Sequence, residues 1–286
     1  MIVIVGLVLV LGAVLTGFVM AGGQPMSLVH PSEIVTICGA AIGALIVMSP
    51  KKVLRDLLRG LVQSVKGTAY NKQAYEELFK VMYDLFRTAR RDGLIALESH
   101  VSQPSESGVF LKYPQITANH HVTEFICSAL SPVIEGAVKP DQLHKMLEGE
   151  IRLIEDEHHG PLGVLTKTAD ALPGFGIVAA VMGIVVTMGA IDGPVEQVGE
   201  KVGAALVGTF LGILLSYGFF APLAVRMEFL GAAELAFFRT IATTIEGFVC
   251  DAAPKVALEN ARRGVSSEFR PDRERLDALL KEVEVS

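Results

Sequence analysis

The chain has 286 residues, of which 51% are hydrophobic and 20% charged, and its formal net charge is −6 at pH 7. This composition is too apolar for an ordinary soluble domain of such length, so it predicts segments that span a membrane. The acidic balance argues against nucleic acid as a partner, because a surface that binds nucleic acid is basic.

Two uncharged runs open the chain, Ile2 to Ala21 and Ile34 to Met48. A membrane-spanning helix needs about 20 apolar residues, so the first run is long enough. The second run becomes long enough if its helix begins near Pro31 and ends near Pro50. We therefore expect transmembrane helices 1 and 2 within residues 1–50, joined by the short connection GGQPMSLVHPSE.

Residues 51–171 form a long polar insert in which apolar positions recur at helical spacing. One face of its first predicted helix carries a stripe of large apolar side chains: Tyr75, Leu78, Met82, Leu85, Phe86 and Ala89. The segment SQPSESG then ends the pattern. Further helices are predicted around Val122 to Ala137 and from Asp141 to Glu157, with Pro140 and Asp141 as the start signal.

Two more uncharged runs, Leu172 to Ile191 and Val202 to Val225, predict transmembrane helices 3 and 4 within residues 172–225. Pro173 is expected at the start of helix 3, where its missing N–H costs nothing, with Asp170 as the cap. Pro222 removes a hydrogen bond near the end of helix 4, whose apolar pattern continues into the tail, residues 226–286. Both helices are rich in small residues, which let helix backbones approach closely in lipid; the pairs are Gly176/Ala180, Ala179/Gly183 and Gly208/Gly212.

The placement of basic residues predicts the orientation of the chain in the membrane. Fifteen of the 25 Lys and Arg residues lie between Ser49 and Ala171, nine follow Val225, and Lys201 alone lies between helices 3 and 4. By the positive-inside rule, both termini and the insert are cytoplasmic. No segment has the period of a β-strand, so the predicted fold is an all-α, polytopic membrane protein with four transmembrane helices and a large helical cytoplasmic insert.

The four uncharged runs contain no Asp, Glu, Lys, Arg or His. An ionisable side chain inside a bilayer is costly and is normally kept there for transport. We infer that the chain alone is not a complete proton relay. Either it is structural, or it lines a path whose titrating group comes from another polypeptide. Hydroxyl groups for such a path are available on Thr187, Thr209, Ser216 and Tyr217.

The sequence shows no nucleophile motif, phosphate-binding loop or dinucleotide fingerprint, and its His pairs lack the spacing of metal ligands. Neither enzyme activity nor a metal or other cofactor is predicted. The charges of the insert are more informative. Arg87, Arg90 and Arg91 are expected to share a helix surface, with Glu98 two turns beyond Arg91 on the same face. From spacing alone, this surface is a solvated face with weak internal ion pairs.

Two segments resemble a known family. ALVGTFLGILLSYGFFAP (205–222) contains Ala-Leu, Gly-Thr, a glycine two residues beyond the Phe and a proline ten residues after that glycine. It is similar to the fourth span of the MotA family of flagellar stator proteins, which is part of the MotA/TolQ/ExbB proton channel family. LPGFGIVAAVMG (172–183) resembles the third span. RRDGLIALE, the short first connection, the insert and the tail follow in the family's order, so the resemblance covers nearly the whole chain.

The resemblance implies the ion-conducting subunit of a flagellar stator in the bacterial inner membrane, in contact with lipid. It implies five copies of this chain around the transmembrane helices of two copies of MotB, whose aspartate is the titrating group. Ion flow would then drive charged residues of the insert against the rotor protein FliG.

Residue roles follow from the resemblance position by position. Pro173 and Pro222 match prolines assigned to coupling, and Thr209 matches a threonine of the pore. Tyr217 is expected on the same path because it offers a hydroxyl group there. Arg90 and Glu98 match rotor-facing charges, and Glu150 matches a third acid of the insert. Arg91 and Asp92 adjoin Arg90, which leaves open whether Arg90 or Arg91 meets the rotor.

Three alternatives remain open at this stage. Relatives similar to ExbB or TolQ, which energise outer-membrane processes, have one span before the large loop, whereas two are predicted here. A purely structural membrane scaffold would tolerate loss of Thr209 and both prolines. A sodium-driven stator, similar to PomA, would carry a threonine where this chain has Ala180. A methyl group cannot coordinate sodium, so the expected ion is the proton.

Overall fold

The computed structural model describes residues 2–285, which contain helices and no β-strand. Short 3-10 helices cover Pro25–Leu28, Leu94–Leu97 and Phe110–Lys112, and a π-helix covers Leu214–Phe220. The α-helices in chain order are α1 (Ile2–Met20), α2 (Pro31–Met48), α3 (Lys51–Lys66), α4 (Lys72–Asp92), α5 (Glu98–Ser102), α6 (Pro114–Thr117), α7 (His120–Ile134), α8 (Pro140–Met188), α9 (Val195–Ile213), α10 (Ala221–Val249), α11 (Pro254–Gly264) and α12 (Arg273–Val285).

Four helical stretches are long and apolar enough to cross a membrane: α1, α2 with the 3-10 helix before it, α8, and α9 with its continuation into α10. The predicted all-α fold with four membrane-spanning helices and a large helical insert is therefore confirmed. The chain divides into two compact units, one of residues 1–67 and 157–230 and the other of residues 68–156 and 231–286. Both α8 and α10 contribute residues to each unit.

The first unit contains the apolar spans and two small packed clusters. In one cluster, Ile37 and Ala41 of α2 pack with Leu172 and Ala179 of α8. In the other, Leu57 of α3 packs with residues of α8 and α10. No residue of α1 is buried among the residues described. The apolar side chains of such a helix are unfavourable in water. A helix that its own chain leaves exposed is therefore expected to be covered by lipid or by another chain.

The second unit contains the larger core, formed by α4, α7, α11 and α12 with parts of α8 and α10. The helical stripe predicted from Tyr75 to Ala89 is confirmed, since its six side chains are all buried. Aromatic pairs fill the centre: the rings of Phe86 and Phe248 stack with centroids 4.1 Å apart, and Tyr75 meets Phe237 edge to face at 4.8 Å. The start of α4 is capped by the Asn71 side chain, which accepts a hydrogen bond from the Ala74 N–H.

The prediction that a helix starts at Pro173 is wrong, although the predicted third span lies within the longer helix. Helix α8 begins at Pro140, as its start signal indicated, and continues without a break through Pro161 and Pro173. A proline inside a helix costs about 3 kcal/mol, because it removes one hydrogen bond and crowds the preceding turn. Packing of Leu165 before Pro173, and of Leu172 and Ala179 around it, against neighbouring helices offsets that cost. Asp170 therefore caps no helix.

The expectation that Glu98 lies on the same helix surface as the arginines is also wrong. Helix α4 ends at Asp92, and Gly93 follows with φ +90°, a left-handed conformation that ends helices and suits glycine. A short 3-10 helix then leads to Glu98, the first residue of α5. Arg91 and Glu98 therefore belong to different helices.

Candidate functional site

The third and fourth spans approach each other through glycine and alanine. A Cβ added at Gly176 of α8 would lie 2.8 Å from the Gly208 carbonyl oxygen and 3.2 Å from Gly212 Cα of α9. A Cβ at Gly212 would lie 2.6 Å from the carbonyl oxygen of Leu172. Farther along, a Cβ at Gly183 would lie 2.7 Å from the Ala205 Cβ. The predicted small-residue pairs thus serve packing of α8 against α9 within one chain.

Two of the predicted pathway residues lie at this crossing. The backbone nitrogen of Ala180 lies 3.3 Å from the Cβ position of Gly208, and Thr209 Cα lies 3.3 Å from the Cβ position of Gly176. Both Ala180 and Thr209 are half-buried. The structure therefore places the backbone of Ala180 next to Gly208, the residue before Thr209.

The hydroxyl of Thr209 differs from those of Thr168 and Thr187 in the neighbouring helix α8. Thr187 donates a hydrogen bond to the Gly183 carbonyl at 2.8 Å, and Thr168 donates to the Val164 carbonyl at 2.8 Å. The Thr209 hydroxyl has no hydrogen-bond partner among residues 2–285. An oxygen without a protein partner at this crossing is free to bind water or an ion.

The end of the fourth span has an irregular helix just before Pro222. In the π-helix, the Ala221 N–H donates to the carbonyl of Ser216, five residues back. A single π turn inside an α-helix inserts one residue and is common at functional sites. Tyr217 lies in this turn with 68% of its surface exposed, and Pro222 is exposed at the start of α10. The backbone hydrogen bonds thus change from four to five residues back just before Pro222, which has no N–H to donate.

Glu33 is a further functional candidate that the sequence pattern did not indicate. Because α2 begins at Pro31, Glu33 lies in the first turn of the second span, although it precedes the uncharged run that begins at Ile34. Its side chain is buried, and its Oε2 atom lies 2.7 Å from the Cβ position of Gly208. The signal was the proline at the first helical position, which places a helix start two residues before Glu33.

The predicted charged surface lies in the second unit, where Arg90 and Arg91 have different partners. The Arg90 guanidinium contacts the turn after α10, with Nη2 3.3 Å from the Ala252 carbonyl oxygen. Among residues 2–285, the Arg91 guanidinium binds only the neighbouring Asp92 carboxylate, with a shortest distance of 2.7 Å, and this pairing lowers the pKa of Asp92. Arg91 is thus the more exposed of the two arginines, with 65% of its side chain accessible against 44% for Arg90.

The two acids of the predicted surface also differ. Glu98 is exposed, and its carboxylate has no ion pair or hydrogen bond within the described part of the chain. Glu150 of α8 is half-buried and faces Glu124 and the Ser128 hydroxyl of α7. Glu98 is therefore free to meet a partner surface, whereas Glu150 is partly covered by α7.

Two family models match the chain in succession. The motility protein A N-terminal model matches residues 4–93, and the MotA/TolQ/ExbB proton channel family model matches residues 117–234. The chain is 35% identical to motility protein A of Escherichia coli K12 over 283 residues, which cover 99% of this chain and 96% of that protein. The chain belongs to the motility protein A family.

Other proteins are similar to this chain over nearly its whole length. The chain is 35% identical to the chemotaxis protein LafT of Vibrio parahaemolyticus, with 98% of both chains covered. Motility protein A of Salmonella typhimurium is 34% identical over 99% of this chain. The structure of C. jejuni MotAB superposes with a TM-score of 0.77 at 22% identity, covering 95% of this chain and 98% of that one. The motility protein A fold therefore extends over nearly the whole chain, and the family is one of motor stators and proton channels.

Proposed function

We propose that this chain is the ion-conducting subunit of a flagellar stator, a multi-pass protein of the bacterial inner membrane with both termini and the insert in the cytoplasm. Membership of the motility protein A family over the full length supports this function. The orientation is supported by the basic residues that directly follow α2: Lys51, Lys52, Arg55 and Arg59.

The observation that carries this proposal is the crossing of α8 and α9, where the Thr209 hydroxyl has no protein partner beside a contact lined by glycine. The ion path runs along this crossing past Ala180, Thr209 and Tyr217. The titrating aspartate comes from MotB, two copies of which lie inside a ring of five copies of this chain. Lipid covers the outer apolar faces.

The conducted ion is the proton. Sodium must exchange its hydration water for oxygen ligands, so a sodium path needs hydroxyl groups on both sides of the carboxylate. Thr209 supplies one hydroxyl from α9, and the neighbouring position on α8 is Ala180, whose methyl group cannot coordinate a cation. A proton needs no such cage, because it passes along water to a carboxylate.

Torque is delivered to FliG by charges of the second unit. Arg90 is held against the turn after α10, whereas Arg91 pairs with its exposed neighbour Asp92, so we assign the rotor contact to Arg91 and Glu98. Pro173 and the π turn before Pro222 are the flexing points of the spans. The energy is adequate, since one charge that crosses 100 mV releases about 2.3 kcal/mol.

An energiser similar to ExbB or TolQ is the alternative, and two closely spaced spans before the insert disfavour it.

The test of conduction is proton flux into membrane vesicles under an imposed pH gradient. The vesicles contain this chain alone, the chain with MotB, or the chain with MotB whose membrane aspartate is changed to asparagine. We expect flux only from the intact pair. Equal flux from the chain alone would show that the partner's carboxylate is not required.

Ion identity is tested by swimming speed while sodium is replaced by potassium at constant pH, and then with a protonophore added. We expect speed to survive the first change and collapse after the second. The rotor contact is tested by Glu98→Lys with Glu106→Lys, another exposed acid of the insert, as the matched control. Only Glu98→Lys should impair motility, with partial rescue by an opposite reversal on FliG.

A further inference from the structure

The carboxylate of Glu33 reaches the crossing of α8 and α9 because residue 208 has no side chain. Glu33 is 6% exposed, and its Oε2 atom is buried without a hydrogen-bond partner among residues 2–285. A Cβ at Gly208 would lie 2.7 Å from that oxygen, 3.1 Å from the Ala179 Cβ and 3.3 Å from the Ala180 nitrogen. The carboxylate therefore occupies the space that a side chain at position 208 would fill.

This point lies well inside the membrane-spanning part of the chain. At 1.5 Å per residue, Gly208 is about 9 Å along α9 from Val202, where the uncharged run begins. By the same measure, Ala179 is about 14 Å along α8 from Met188, where that helix ends. A carboxylate oxygen at this depth without a hydrogen-bond partner among residues 2–285 is costly, and buried acids in membrane proteins mark ion pathways.

Two features of the surroundings of Glu33 have opposite effects on the charge of its carboxylate. Removal from water favours the neutral acid, whereas the free N–H groups in the first turn of α2 favour the anion. Nearby polar groups are the Ser32 hydroxyl and His30, the residue immediately before α2. His30 is half-buried, one helical turn from Glu33, and its Nε2 lies 3.0 Å from the Ser27 carbonyl oxygen. His30 and the Ser32 hydroxyl are therefore the polar groups beside the carboxylate at this end of α2.

We propose that the Glu33 carboxylate is a proton-binding site of the conduction path, where it takes up a proton from the His30 side and releases it at the α8–α9 crossing beside Thr209. The proton binds a carboxylate oxygen and leaves from it to water or to the partner's carboxylate, so no other bond is made or broken. This inference rests on the proposed function as a proton-conducting stator subunit. It means that the path has a titrating group on this chain as well as on MotB.

The test is proton flux in vesicles that contain the complete pair with MotB. Glu33→Gln keeps the shape and polarity of the side chain but cannot bind and release a proton at neutral pH. The matched control is Glu196→Gln, which makes the same change at an exposed position in the first turn of α9. We expect Glu33→Gln to lower flux by about tenfold or more, since proton transfer by a positioned side chain contributes at least that much, and Glu196→Gln to match the wild type.

The outcomes separate this inference from the function on which it rests. If the wild-type pair conducts no more than vesicles without it, the proposed function fails. If the wild-type pair conducts and Glu33→Gln conducts equally, the proton-binding role of Glu33 is overturned and the proposed function stands.

A second measurement does not depend on the folding of any variant. Dicyclohexylcarbodiimide adds to protonated carboxyl groups in apolar surroundings and forms an N-acylurea, which mass spectrometry of the wild-type pair locates. We expect the adduct on Glu33 and none on Glu196. Absence of the adduct on Glu33 would overturn the proposal.

Discussion

The guanidinium of Arg90 lies 3.3 Å from the carboxylate of Asp251, in the turn directly after α10. Asp251 has a left-handed backbone with φ +61°, the one positive φ of a non-glycine residue among residues 2–285. Arg90 also donates to the Ala252 carbonyl oxygen and lies over the Phe248 ring, 5.4 Å from its centroid. One side chain of α4 thus holds this turn by a hydrogen bond, an ion pair and a cation–π contact.

Arg90→Ala should destabilise the protein, whereas Arg91→Ala should not. Loss of the hydrogen bond and of the contact with Phe248 costs about 1–2 kcal/mol, and the exposed ion pair adds little. Arg91 contacts only its neighbour Asp92 among the acids described, so its removal leaves the packing unchanged. Thermal unfolding in detergent, followed by circular dichroism, measures both variants. An equal loss of stability in Arg91→Ala would contradict this division of roles.

Gly212→Ala should separate the third and fourth spans. The new methyl group would lie 2.6 Å from the Leu172 carbonyl oxygen and 2.9 Å from Gly176 Cα, and backbone atoms cannot move aside as a flexible side chain can. We expect a loss of about 1–3 kcal/mol, as for overpacked cores, together with loss of motility. The amount of monodisperse protein after extraction in mild detergent measures the effect.

Gly203→Ala is the matched control, since it changes the same residue type in α9 where a Cβ meets nothing within 4 Å. Alanine is the better helix former by about 1 kcal/mol, so this variant should be neutral or slightly stabilised. A Gly203→Ala variant as damaged as Gly212→Ala would mean that glycine in α9 serves flexibility and not close packing.

Glu259 makes stability depend on pH in the acid range. Hydrogen bonds from Arg262 (2.7 and 2.9 Å) and Arg263 (3.1 Å) lower the pKa of the Glu259 carboxyl to about 2 from its ordinary value of 4.5. Because the pKa is lower in the folded state, the stabilisation is fully present above pH 4.5 and is lost as pH falls from 4.5 towards 2.

Glu259→Gln should therefore lower the unfolding temperature at pH 7, by an amount equivalent to about 1 kcal/mol after solvent screening. The difference from the wild type should shrink as the pH falls below 4.5. Glu268→Gln, which changes an exposed acid between α11 and α12, serves as control, and its unfolding temperature should match the wild type at pH 7. A deficit of Glu259→Gln that stays constant down to pH 2 would rule out this linkage.

The cysteines outside the spans should react at different rates. Burial raises the pKa of the Cys127 thiol to about 11, whereas Cys250 is exposed at the end of α10. Maleimides react with thiolates, so at neutral pH Cys127 should react roughly a hundredfold more slowly than Cys250. Single-cysteine variants in a Cys38→Ser background allow each rate to be measured. Comparable rates in the folded protein, with no acceleration of Cys127 labelling on unfolding, would show that Cys127 is accessible.

Local pattern was sufficient for the number of spans and for the buried face of α4. Runs without charge mark spans because a charge in lipid is costly, and the stripe from Tyr75 to Ala89 marks a core face because its spacing matches the helical period. The same rule failed to indicate Glu33. An uncharged run cannot contain an acid, so the second run begins after Glu33, whereas helix α2 begins at Pro31 and includes Glu33.

Residues that belong together only in three dimensions required the structure. The sequence around Pro173 is typical of a helix start. Helix α8 nevertheless continues through Pro173, because the buried side chains of Leu165, Leu172 and Ala179 hold it in place. Arg90 and Arg91 are adjacent in sequence and point about 100° apart around a helix with 3.6 residues per turn. Which of them meets Phe248 and Asp251 depends on α10.

The sequence by itself thus determined the number of spans, the helical class and the family, because these depend on hydrophobic runs and on short motifs that the chain carries locally. Tertiary structure decided which small residues touch and that Glu33 enters the crossing of α8 and α9. It also decided which arginine is bound and which is exposed. These depend on atoms from helices far apart in sequence approaching within about 3 Å, a distance that only the packing of the whole unit sets.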